Sequence, residues 1–152
     1  MMYRKQTEPG PDVSPDNPVP QWNVGWFGLQ LGGTLWLLIM ALVLVGRSSG
    51  TAALVFGCFL IPNLFGTWLW FSRVGLSVYR AARVFLPILG LFSILAVFIA
   101  DRAGQWTVMG FGGSNNVSAT STYVLILILV AALMILFHVK ERRHLDADKP
   151  RR

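Results

Sequence analysis

Charge is scarce along most of this chain. Only 13% of its 152 residues are Asp, Glu, Lys or Arg, about half the share of an average soluble domain. None of them falls within four stretches, roughly Gly25–Val45, Ala52–Phe71, Val84–Ala100 and Thr122–Val139. Proton-coupled pumps, voltage sensors and counter-ion sites place ionisable groups inside such stretches, so their chemistry has no carrier here. There is one cysteine, Cys58, so the chain has no internal disulfide and no thiolate pair for zinc. The two histidines, His138 and His144, stand at or beyond the end of the last apolar stretch, which argues against a bis-histidine haem within it. H-E-x-x-H, G-x-S-x-G and P-loop patterns are missing, and the glycine-rich run Gly110–Gly113 is not followed by Lys-Ser/Thr. The expectation is a protein that is not an enzyme, with no catalytic residue, metal or cofactor.

Apolar sequence is abundant: 54% of residues are hydrophobic and the mean hydropathy is +0.56. The uncharged stretches are close to the ~20 residues a helix needs to cross a hydrocarbon layer ~30 Å thick. They predict an all-α integral membrane protein, a four-transmembrane-helix bundle over residues 22–139 with helices at about 25–45, 52–71, 84–100 and 122–139. A Pro-rich arm (1–21) precedes it, with Pro9, Pro11, Pro15, Pro18 and Pro20 favouring extended backbone. A basic tail (140–152) follows. Gln105–Phe111 and Val117–Val124 carry β-favouring residues around a Gly112–Asn116 turn, which predicts a small hairpin in the outer loop between helices 3 and 4.

Lys and Arg number two in the N-terminal arm, one, three and one in the successive loops, and six in the C-terminal tail. Eleven of thirteen thus fall on one side, and cytoplasmic segments carry the Lys/Arg excess. The expected topology is multi-pass with both termini cytoplasmic, in the plasma (inner) membrane. This bias accounts for the net charge of +6 without nucleic acid as a partner. Arg73, Arg80 and Arg83, interleaved with Leu76, Val78 and Val84, predict a short amphipathic turn on the membrane whose arginines contact anionic lipid headgroups.

Small and polar residues supply the remaining signals. Gly28 and Gly32 form a G-x-x-x-G, the spacing that lets a second helix backbone approach, expected as a packing seam within the chain or, as the alternative, with another copy or a larger complex. Pro62-Asn63 interrupts the second stretch and marks it as the helix most apt to bend. Thr34, Asn63 and Ser93 share a depth near the bilayer midplane, with Gln30 one turn from Thr34 on the same face, the arrangement of an interhelical polar layer. Helix 4 has no polar side chain through its middle. The functional expectation is an accessory or scaffold subunit of a larger membrane complex or homo-oligomer. The alternative is a small oligomeric channel or carrier with a neutral polar pathway past Gln30 and Asn63.

Overall fold

Ser48, Ser77 and Ser118 each begin a helix in the same way: the side-chain oxygen accepts from the backbone N–H three residues on, at 3.4, 3.3 and 3.1 Å. This satisfies one of the amides that a helix start leaves without a partner. The computed structural model describes residues 24–72, 77–107 and 118–147. They form α1 (Val24–Val45), α2 (Ser49–Phe71), α3 (Val78–Arg102) and α4 (Ala119–Ala147). All four are long and apolar enough to cross a membrane. The predicted N-terminal arm and Arg73 lie outside the described residues.

The serine caps explain why three helices start earlier than hydropathy predicts. α3 begins at Val78 rather than Val84 because Val78, Tyr79, Ala81, Ala82 and Phe85 make a buried face while Arg80 and Arg83 occupy its more exposed side. The expected amphipathic turn is therefore, over residues 78–84, the first two turns of α3. Ser118 likewise overturns the second arm of the expected hairpin: Ala119–Val124 is helix, and the Gly112–Asn116 turn lies outside the described residues. The basic tail also starts as helix, since α4 continues to Ala147. Gly104, just past the Ala103 cap of α3, has a φ of +66°, which suits glycine. Gln105 N–H bonds to the Ala100 carbonyl and Gly104 N–H to that of Asp101, both at 2.9 Å, which is a Schellman closure.

Successive helices pack as neighbours, but among the described residues the α4 backbone comes close to α3 alone and not to α1. None of the most apolar 18-residue window of α4 is buried. Two apolar cores result. One joins Leu37, Met40 and Leu44 of α1 to Val55 and Cys58 of α2 and Ala96 and Val97 of α3. The other joins Trp26 to Leu69 and to Ala81, Ala82 and Phe85. Both cores are built mainly from side chains of α1, α2 and α3 packed together.

Gly28 and Gly32 seat no helix of this chain, contrary to the expectation. A Cβ built on either meets no atom within 4 Å, because α4 leans on α3 and leaves that side of α1 open. Close approach falls elsewhere. A Cβ on Gly66 would lie 2.8 Å from the Gln30 carboxamide carbon and one on Gly90 2.8 Å from Val130 Cγ2. Gly66 lets α1 approach α2, and Gly90 lets α4 approach α3.

Candidate functional site

A polar cluster sits between the two cores, where α1 faces α2. Gln30 and Thr34 are one turn apart, as are Asn63 and Thr67, so each pair presents its polar groups on one side of its helix. Gln30 Nε2 donates to the Asn63 carbonyl oxygen at 2.7 Å and lies 3.2 Å from Asn63 Oδ1 and 3.3 Å from Thr67 Oγ1. Asn63 Nδ2 answers by donating to Thr34 Oγ1 at 2.9 Å and to the Phe59 carbonyl at 2.7 Å. The hydroxyls close the set, with Thr34 donating to the Gln30 carbonyl at 2.9 Å and Thr67 to the Asn63 carbonyl at 2.8 Å.

The donors thus match the acceptors around them. Each carboxamide nitrogen spends its hydrogens on oxygens of the two helices, and each hydroxyl donates one turn back along its own helix. One group stands apart: Gln30 Oε1 is buried with no hydrogen-bond partner, pressed toward Gly66. Near the cluster, Trp26 Nε1–H donates to the Gly66 carbonyl at 3.1 Å, tying α1 to α2 a second time.

Sequence position alone brings Gln30, Thr34 and Asn63 to one depth, and the structure joins them by hydrogen bonds. Thr67 belongs with them; its signal was the four-residue spacing from Asn63. Ser93 is buried at a similar level but lines a separate cleft between α1, α3 and α4. α2 is continuous through Pro62, which is fully buried. Proline has no N–H to give the Cys58 carbonyl, and the Asn63 side chain bonds the next carbonyl along, that of Phe59.

At the basic end of the helices, Arg83 pairs with Glu141 and links α3 to α4. Tyr79 and Phe137 meet edge to face beside them, with centroids 6.3 Å apart. Arg80 is exposed. Among the described residues no three His, Cys, Asp or Glu side chains gather in a way that would hold a metal ion. No protein-family model, curated protein or solved structure matches this chain.

Proposed function

We propose that this chain is a non-enzymatic, multi-pass subunit of the plasma (inner) membrane, with both termini in the cytoplasm, that scaffolds a larger membrane complex. The observation that carries this reading is the solitary position of α4. It packs on α3 alone, yet from Val124 to Phe137 it offers only apolar side chains. Its exposed face includes Leu125, Ile128, Leu129, Ile135 and Leu136, a surface suited to another membrane helix by packing or to lipid. The polar side chains between α1 and α2, by contrast, are occupied with one another apart from Gln30 Oε1. Purification in mild detergent, followed by mass identification of co-purifying chains, tests the proposal. A stoichiometric membrane partner, lost when Ile128 and Ile135 are changed to Ala, is the expected result; a chain that purifies alone and monomeric overturns it.

A second reading, a small oligomeric channel or carrier, draws on the buried Oε1 of Gln30. An acceptor without a donor is one a dehydrating solute would use. Flux through proteoliposomes of the purified chain distinguishes this reading from the first.

A further inference from the structure

We propose that the cleft between α1, α3 and α4 holds one acyl chain of an anionic phospholipid, whose headgroup meets the cations at the cleft's basic end. The cleft encloses about 460 Å³, within the ~300–1,000 Å³ usual for small-molecule sites. Gly28 and Gly32 form one wall, Gly90 and Ser93 the floor, and Leu129 and Leu133 the other wall. It exists because α1 and α4 do not meet and because the α1 wall carries hydrogens where side chains would otherwise fill it.

Its lining points to a hydrocarbon occupant. The α4 wall runs from Thr122 to Leu133, about 17 Å at the rise of an α-helix. Apart from the hydroxyls of Ser93 and Thr122, the residues along the cleft are glycine or apolar, so a flexible acyl chain with no polar groups of its own suits it.

Charge complementarity identifies the head. Arg83 lies one turn from Leu86, which lines the cleft, and Lys140 lies two turns from Leu133 on the same side of α4. Arg83 gives one edge of its guanidinium to Glu141, while its Nε is buried with no hydrogen-bond partner. Lys140 is exposed, and Arg142 and Arg143 follow it on the same helix end. A phosphate at this level gains charge-assisted hydrogen bonds, and its chain enters the cleft directly above.

This assignment rests on the membrane-spanning reading proposed above, and two measurements keep the two apart. In the first, membranes carrying the full chain are extracted with alkaline carbonate; release of the chain overturns the membrane reading itself, while retention leaves the lipid question to the second. In the second, the full chain is reconstituted in phosphatidylcholine bilayers containing a minor fraction of phosphatidylglycerol and examined by native mass spectrometry. The parent is expected to keep one phosphatidylglycerol. Gly32→Phe, whose Cβ meets no atom within 4 Å and whose ring occupies the cleft, is expected to lose it while keeping the parent's helix content. Leu129→Trp fills the cleft from the α4 side and serves in its place if Gly32→Phe does not fold. Arg83→Gln combined with Lys140→Gln is expected to keep a lipid but lose its preference for phosphatidylglycerol by about fivefold per cation removed. Equal lipid retention by parent and folded cleft-filled variant overturns the proposal. So does a lipid-free dimer of the parent that the same variant splits, since a second copy would then be the occupant.

Discussion

Gln30 reaches across from α1 to the backbone carbonyl of Asn63 in α2, 2.7 Å away, and the Asn63 side chain returns the contact to Thr34, one turn along from Gln30. The two amides are interlocked. Each covers polar groups of the other's helix, Gln30 the Asn63 carbonyl and Asn63 the Thr34 hydroxyl. Losing either side therefore strands more than one partner.

Asn63→Leu keeps much of the bulk and deletes the reciprocal contacts. Interhelical hydrogen bonds in membranes average ~0.6 kcal/mol, with a maximum near 1.7, and two of them fail here, so a loss of about 1–2 kcal/mol is expected in reversible unfolding in detergent. Assembly should persist. If the parent supports solute flux in proteoliposomes and the folded variant does not, the cluster is part of a pathway and the scaffold reading falls.

The glycines divide by what surrounds them. Gly66→Ala drives a methyl group against the Gln30 carboxamide at 2.8 Å and the Phe85 ring at 3.0 Å; neither can yield easily, and overpacking of this kind costs about 1–3 kcal/mol. Gly32→Ala meets nothing and gains helix propensity worth up to about 1 kcal/mol. Melting temperatures of the two variants should therefore move in opposite directions from the parent.

Glu141→Gln removes the charged partner of Arg83 at the end of α4. Arg83 is 34% exposed, so screening holds the cost to about 1 kcal/mol or less. The effect should be local: hydrogen exchange in α4 should quicken while α1 and α2 keep the parent's protection. Uniform acceleration over all four helices would show that α4 is not the weakly held element its single neighbour implies.

Topology follows from the Lys/Arg bias. With Cys58 replaced by Ala, Ser114→Cys should react with an impermeant thiol reagent in intact cells and Asp146→Cys should not. The opposite pattern would invert the orientation and place the proposed lipid headgroup in the other leaflet.

The sequence discloses some of these features and hides others for physical reasons. Uncharged runs locate all four helices because charge is costly in hydrocarbon, but they misplace the start of α3, where Arg80 and Arg83 share turns with a buried face. Gln30, Thr34 and Asn63 stand at one depth simply by counting along straight helices. Thr67 was legible too, four residues from Asn63, had the count been carried one turn further. Ser93 shows the limit of that method: depth is common to all helices, whereas azimuth depends on how each is rotated, and α3 turns Ser93 toward the cleft. Gly28 and Gly32 meet no helix of this chain, because a glycine spacing permits a close neighbour without supplying one.

The polar cluster between two aliphatic cores also sets the register of α1 against α2. Leucine and valine surfaces tolerate a slide of one helical turn, about 5.4 Å, at modest cost because new ridges meet new grooves. Gln30, Thr34, Asn63 and Thr67 do not, since the same slide parts every cross-helix bond at once and leaves amides facing hydrocarbon. The pair has one alignment in which its polar groups are covered. A hairpin of α1 and α2 can therefore set its alignment as soon as both helices have formed, before α3 and α4 are present to enforce it.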